Sequence, residues 1–401
     1  MKKTLAAVAV LGAFAGSALA ADVQLYGIVD TGFLYTHTDT DTDKAGADAV
    51  DKLEMMSGMA SGSRFGFKGT EDLGNGLTVG FILENGISSD TGVDKGVFFD
   101  RESSLFLQGS FGKVAFGRIG SINNGTSSWG KYGMISAFGT SYTDYSAQAG
   151  NWAVGASLWD NMIAYQTPTF AGFTVYAQYG MGNQLTDKAD ATKKVGVENE
   201  SSSDRYYALG ATYANGPLNL YAAVDSINYA SAGNGKGAEY GVDDSLTVTV
   251  GGNYDFEVAK LFAGAQYFDE VKLSSLKGVV GGFKAGDYNS SYVDETGTKS
   301  GFASKVKGWS LGLSASIPAG TGTVLVGAAY VDAEAADSQA TQDDEFSRWI
   351  VSAGYDYPFS KRTDVYVAAT YMQDSLKFTT AETLDQDPYA FGAMVGLRHK
   401  F

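Results

Sequence analysis

The last fourteen residues, Pro388 to Phe401, put the tightest limit on what this chain can become. Their odd positions are Tyr389, Phe391, Ala393, Val395, Leu397, His399 and Phe401; their even positions are Ala390, Gly392, Met394, Gly396, Arg398 and Lys400. Successive side chains of a strand point to opposite faces, so one face is largely apolar with aromatics at both ends, and the other is small or basic. A soluble sandwich would press that apolar face against a second sheet. Here most strand-like segments repeat the pattern and the chain stops on a bare aromatic, which predicts a β-barrel with hydrocarbon outside and water inside.

The earlier segments follow the same rule. Leu25, Val29, Phe33 and Tyr35 alternate with Gln24, Asp30 and Gly32, and Phe65 and Phe67 alternate with Arg64, Gly66 and Lys68. Leu77, Val79, Phe81 and Leu83 oppose Thr78, Gly80 and Glu84, after an Asn75-Gly76 pair that signals a tight reversal. Trp309, Leu311, Leu313 and Ala315 oppose Ser310, Gly312, Ser314 and Ser316. Short turns are expected near 71–76, 109–112, 168–172, 214–217, 255–258, 318–322 and 358–362. Long polar connections are expected near 37–57, 88–97, 119–150, 181–204, 229–244, 269–305, 332–345 and 374–387. Seven short and eight long connections imply sixteen strands, with both chain ends on the short-turn side. All five prolines fall at turns or strand starts, where a missing N–H is harmless. Backbone groups facing lipid must all be paired, so the sheet must close, and sixteen strands leave an aqueous lumen. The inward column of Gly, Ser, Thr, Asn, Gln and scattered charge is expected to wet that lumen, not to fill it.

Residues 1–20 read as a secretory signal: Lys2 and Lys3, an apolar run from Leu5 to Phe14, and Ala18-Leu19-Ala20 before a cut at Ala20-Ala21. The cut removes two lysines and takes the net charge from −16 to −18. Residues 21–401 then form one domain, with no linker or composition break. No later stretch approaches the ~18 apolar residues of a membrane helix. The acidic balance, with no basic stripe, excludes nucleic acid as a partner. There is no cysteine, hence no disulfide or thiolate metal site, and no cofactor is implied.

The stretch Ser63-Arg64-Phe65-Gly66-Phe67-Lys68-Gly69-Thr70-Glu71-Asp72-Leu73-Gly74-Asn75-Gly76-Leu77 resembles the Gram-negative general porins of the neisserial and β-proteobacterial branch. Arg101-Glu102-Ser103, Gly109-Ser110-Phe111-Gly112-Lys113 leading to Gly117-Arg118, and Thr167-Pro168 with Phe170-Ala171-Gly172-Phe173 extend the resemblance over nearly all of the chain after residue 20. It implies an outer-membrane homotrimer of sixteen-stranded antiparallel barrels, with short periplasmic turns, long extracellular loops and a third loop folded into the lumen. Small hydrophilic solutes and ions would diffuse through passively. Phe401 matches the C-terminal aromatic read by the assembly machinery, and lipid and lipopolysaccharide would surround the barrel.

The resemblance places the third loop at roughly Gly120 to Gly150, with Asp144 its only acidic residue. Arg64 matches the family's wall arginine and faces inward by alternation. Lys68 and Glu84 share its face, and Asp30 and Glu102 are expected to line the pore. Arg101 and Arg118 match family positions, yet alternation places them outward with Leu105 and Phe116 unless a bulge re-aims them. Arg64, Lys68, Arg101, Arg118, Asp144 and Glu84 are thus the expected constriction. Related porins often carry an arginine near Ala164, in Met162-Ile163-Ala164-Tyr165, so the basic side is expected to be weaker here and the ion preference stays open. A transverse field between arginines and loop carboxylates would orient solutes.

Other motifs read better as scaffold. Asp30-Thr31-Gly32 and Asp90-Thr91-Gly92 match the aspartic-protease triplet, but one is a wet-face strand residue and the other sits in a polar loop. Asp39, Asp41 and Asp43 begin like a calcium loop that Lys44 and Val50 then break. His37 and His399 are the only histidines, one in a loop and one at a membrane edge. Gly74-x-Gly76 has the wrong spacing for a dinucleotide loop and precedes a strand. A substrate-selective channel would show an ordered ladder of arginines or aromatics in the lumen, an outer-membrane hydrolase would show a catalytic constellation on one rim, and an adhesin would not conduct.

Overall fold

The computed structural model describes residues 22–39, 49–93, 97–125, 127–139, 158–182, 185–186, 194–230, 243–272, 292–293, 299–300, 305–339, 343–379 and 385–401. The expected signal, residues 1–20, lies outside them. Sixteen antiparallel strands form the wall: β1 (Gln24–Asp39), β2 (Ala49–Ser57 continued by Arg64–Gly74), β3 (Leu77–Gly86), β4 (Glu102–Gly109), β5 (Gly112–Gly120), β6 (Leu158–Gln166), β7 (Phe173–Gly180), β8 (Arg205–Asn215), β9 (Leu218–Asn228), β10 (Leu246–Asp255), β11 (Lys260–Lys272), β12 (Lys305–Ala319), β13 (Gly322–Ala335), β14 (Glu345–Pro358), β15 (Thr363–Lys377) and β16 (Tyr389–Lys400). Each pairs with the next, and β16 returns to β1 from Ile28↔Lys400 to Asp39↔Tyr389. Gly27 and Phe401 then exchange two backbone hydrogen bonds of 3.1 Å, so the terminal aromatic fastens the seam. Closure leaves no unpaired sheet edge to face hydrocarbon.

The outer face is apolar where alternation requires it. Leu25, Phe33, Leu209, Val250, Leu311 and Leu313 stand exposed, Leu313 at 66%. Such a band would be unfavourable in water by about 25 cal/mol per Å² and is at ease in lipid. Aromatic rings gather at both rims: Phe173 with Tyr213 (4.6 Å) and Tyr254 with Phe256 (4.5 Å) near the short turns. Trp309 with Tyr330 (5.6 Å) and Trp349 with Tyr371 (5.0 Å) sit near the long loops. These are the two interfacial girdles of a membrane-spanning barrel. The β2–β3 reversal is the expected Asn75-Gly76 pair, with φ of 54° and 75°.

Two expectations change. The first long connection is expected at 37–57, but Ala49–Ser57 is strand, pairing with the upper half of β1 and presenting Leu53 and Met55 outward. Its polar, interrupted pattern disguises it. The second concerns the lumen. Its upper part over β11 to β16 is lined by Phe268, Val306, Val331, Phe346, Ile350, Met372 and Leu376, all buried. These inward residues of long strands rise above the polar waist, so the inside is wet only in part.

Candidate functional site

The third connection enters the lumen from the end of β5, as the resemblance implied. Glu102, at the start of β4, accepts from Ser127 Oγ (3.2 Å), Ser128 N (3.0 Å) and Ser128 Oγ (2.9 Å). Ile122 N donates to Gln178 Oε1 at 2.7 Å, and Asn123 Nδ2 donates to Asp225 Oδ2 at 2.8 Å. Across the lumen, Asn253 Nδ2 donates to Met134 O (2.7 Å) and Ala137 N to Ser314 Oγ (2.9 Å). Ile122, Trp129 and Ile135 pack on Tyr206 and Tyr221 of the wall. Phe138 reaches the far side, among Leu34, Leu325, Tyr366 and Met394. Residues 121–125 and 127–139 thereby span the channel. Asp144 lies outside the described residues.

On the wall facing this loop, one carboxylate serves two guanidinium groups. Arg101 Nε lies 2.7 Å from Glu84 Oε1 and Arg64 Nε lies 3.4 Å from Glu84 Oε2, while Tyr26 OH donates to Glu84 Oε2 at 3.0 Å. Arg64 Nη1 also donates to Gly62 O at 2.9 Å. Arg101 escapes the alternation rule because it precedes the first residue of β4 and follows Phe99, whose φ is +55°. Its side chain therefore turns inward. Lys68 shares this face, its ammonium 5.2 Å from the Tyr26 ring. Lys113 Nζ sits 4.1 Å from the Phe106 ring centroid, and Lys131, from the loop, 4.7 Å from Tyr176. Burial, and then the neighbouring Lys113, hold the Lys131 pKa below its ordinary value. The arginine missing near Ala164 is thus offset by a loop-borne lysine over the next strand, β7, which pairs with β6.

Three expected residues are placed elsewhere or otherwise engaged. Arg118 is not brought to this cluster: the ladder sets it opposite Ser103, on the outward face with Leu105 and Phe116. There its guanidinium pairs with Asp160, beside a bulge at Asn161, and donates to Asp100 O at 2.6 Å. Asp30 faces inward but is fully buried, accepting from Tyr366 OH (2.5 Å) and Ser61 N (2.6 Å). It therefore holds the break in β2 at residues 58–63 against β15. Glu102 faces inward as expected, yet its carboxylate is occupied in tying the loop. On β16, opposite Asp30 in the β1–β16 ladder, Arg398 bonds Asp364 (2.9 Å), Asp356 (2.8 Å) and Ser61 Oγ (2.8 Å), and lines a cavity of about 500 Å³ with Lys361 and Lys400. Sequence reasoning puts Arg398 on the small or basic face but does not single it out. The signal is there in the alternation of β16.

None of these groups makes a hydrolytic constellation. Asp30 is committed to the scaffold, and His37 and His399 sit at opposite ends of the β1–β16 seam. No cluster of three or more metal-ligating side chains forms among the described residues. What the arrangement can do is hold a charged aperture open to water.

The model of the Gram-negative porin family matches residues 6–376. The chain belongs to that family. This porin is 36% identical over 427 aligned residues to an outer membrane porin protein of Bordetella pertussis, covering all of both chains. It is 30% identical to outer membrane porin protein 32 of Delftia acidovorans, and 30% identical to the major outer membrane protein P.IB of Neisseria gonorrhoeae, again over all of both chains. Among solved structures it is similar to the anion-selective porin from Comamonas acidovorans, with a TM-score of 0.63 and 26% identity over 95% of this chain and 100% of that one. It is therefore an outer-membrane β-barrel channel, with the long loops outside the cell and the short turns in the periplasm. Family and fold imply a channel.

Proposed function

We propose that this porin is a passive diffusion channel that favours small anions and works as a homotrimer. The observation that carries the reading is the pairing of Arg64 and Arg101 with one carboxylate, Glu84, among the described residues. Lys68, Lys113 and Lys131 add three cations with no carboxylate within ion-pair distance among the described residues, and Glu102 and Asp30 are tied to loop and scaffold. The excess of fixed positive charge at a narrowed, water-filled waist lowers the energy of an anion and raises that of a cation, without any bond being made or broken. The likeness to the Comamonas acidovorans porin, itself anion-selective, supports the same direction. Export through cleavage at Ala20-Ala21, reading of Phe401 by the assembly machinery, and a shell of lipid and lipopolysaccharide complete the proposal. Single-channel recording in a KCl gradient tests it: the reversal potential is expected on the chloride side, with stepwise conductances shared among three coupled units. A reversal potential on the potassium side refutes the preference, and closed bilayers at high protein dose refute the channel.

A further inference from the structure

Between the arginine pair and the periplasmic mouth, the inner wall of β1 to β5 holds a cavity of about 320 Å³. Gln24, Lys68, Thr70, Ile82, Phe106 and Lys113 line it. They form one contiguous patch: Gln24 stands opposite Lys68, Lys68 opposite Ile82, and Thr70 and Phe106 flank Gly80. The patch has a particular chemistry. Ile82 and Phe106 give an apolar floor, and Lys68 and Lys113 stand at its margins with no carboxylate within ion-pair distance among the described residues. Asp22, at the edge, accepts instead from Gln24 Nε2 at 3.1 Å. The Lys113 ammonium is held over the Phe106 ring at 4.1 Å and lies 5.2 Å from the Trp129 ring of the third loop. Its position is therefore fixed by aromatic faces and not by a counter-ion.

We propose that this cavity is a transient binding subsite for monocarboxylates with a compact apolar body, aromatic carboxylates above all. The inference deepens the anion preference proposed above and rests on it. A halide or a small hydrophilic anion would satisfy the lysines but leave Ile82 and the small exposed edge of Phe106 uncovered. A neutral ring would cover the floor but leave both ammonium groups without a counter-charge. A carboxylate on a ring does both, with its charge between Lys68 and Lys113 and its body over Ile82 and the Phe106 edge. The volume suits it, being about twice the ~150 Å³ apolar cavity that takes up benzene. Binding must stay weak, because a conducting site has to release what it holds.

The test uses the full-length porin in planar bilayers bathed in KCl, with benzoate, acetate and benzamide added in turn as blockers of the chloride current. In the wild-type protein benzoate is expected to half-block at roughly one-tenth the acetate concentration, the discrimination that a small apolar contact supplies. Benzamide should not block in the same range. The double variant Lys68→Gln/Lys113→Gln should lose benzoate block, and Ile82→Ser should bring benzoate down to the acetate level. Lys68 is exposed, whereas Lys113 and Ile82 are partly buried and Ile82 packs against the cluster around Trp129, so heat-modifiable gel mobility reports whether each barrel is folded. Equal block by benzoate and acetate in the wild type overturns the subsite, as does an undiminished benzoate preference in the double variant. The reversal potential in the same membranes reports the anion preference separately. Failure there with benzoate discrimination intact, or the reverse, shows which of the two readings is wrong.

Discussion

Arg64→Glu is the sharpest perturbation of the constriction. Arg64, Arg101 and Glu84 form a group with a net charge of +1, held by contacts of 3.4 and 2.7 Å, and the substitution turns it to −1. At closest approach, about 4 Å, two unit charges interact by about 1 kcal/mol in water. A swing of two charges therefore raises the energy of a passing anion by about 2 kcal/mol and lowers that of a cation by as much. Each ~1.4 kcal/mol is a factor of ten, while a Debye length of about 10 Å at 0.1 M salt trims the effect only modestly at this range. Lys68, Lys113 and Lys131 remain and hold back part of the change, so the chloride-to-potassium permeability ratio should fall by at least about tenfold. The reversal potential of single channels in a KCl gradient reads this directly. Arg118→Glu is the control: Arg118 pairs with Asp160 on the outer face, and its reversal should leave selectivity where it was. An unmoved reversal potential in Arg64→Glu, or an equal shift in Arg118→Glu, refutes the assignment of the current path.

Glu102→Ala removes the acceptor of three bonds from Ser127 and Ser128, charge-assisted contacts of about 1.5–3 kcal/mol each. The first turn of the third loop should loosen while its distal anchors hold, seen as added current noise in an otherwise stable channel; recordings as quiet as wild type would remove Glu102 from the loop's anchoring. Arg348 and Asp374 form a fully buried bidentate pair with contacts of 2.6 and 2.7 Å, so Arg348→Met alone should cost about 3–5 kcal/mol in denaturant titration. Arg348→Met/Asp374→Leu should recover most of that loss, and a double variant no better than the single one would contradict the buried-charge argument. Burial, and then the neighbouring Lys113, lower the Lys131 pKa, so its charge is present at low pH and is lost on raising the pH sooner than that of an ordinary lysine. Anion preference should therefore start to fall on raising the pH before ordinary lysines lose their charge, and Lys131→Gln should flatten that step in reversal-potential measurements.

Closure, strand number and the two-sided wall were legible because each depends only on period-two alternation and turn chemistry. Trp309 to Ser316 shows this, as does Asn75-Gly76. Interruptions were not legible. Arg101 obeys neither face until Phe99 and the start of the β4 ladder are known, whereas for Arg118 alternation points outward and the family match inward, and only its rung opposite Ser103 decides between them. Contacts between distant segments were equally hidden. Nothing near Glu102 in the sequence says that Ser128 closes on it, and nothing near Asp30 says that Tyr366, from β15, will cap it. Inward-facing is a local property of a strand, whereas exposure to the current depends on what the lumen loop covers.

The same distinction explains how a chain with a net charge of −16 can present a positive waist. Counting charges gives the wrong sign because it weights all carboxylates equally. Inside the barrel they do different jobs: Glu102 binds the loop, Asp225 holds Asn123 and Tyr206, Asp374 is consumed by Arg348, and Asp30 pins the break in β2. Each is neutralised or turned away from water. Burying an unpaired carboxylate is costly, so the carboxylates named here are those with a structural partner, and Lys68, Lys113 and the Arg64–Arg101 pair are left facing the waist. The lumen field is then what remains of a packing problem. The third loop needs anions to hold it, and by using them it leaves Arg64, Arg101, Lys68 and Lys113 to set the sign of what passes.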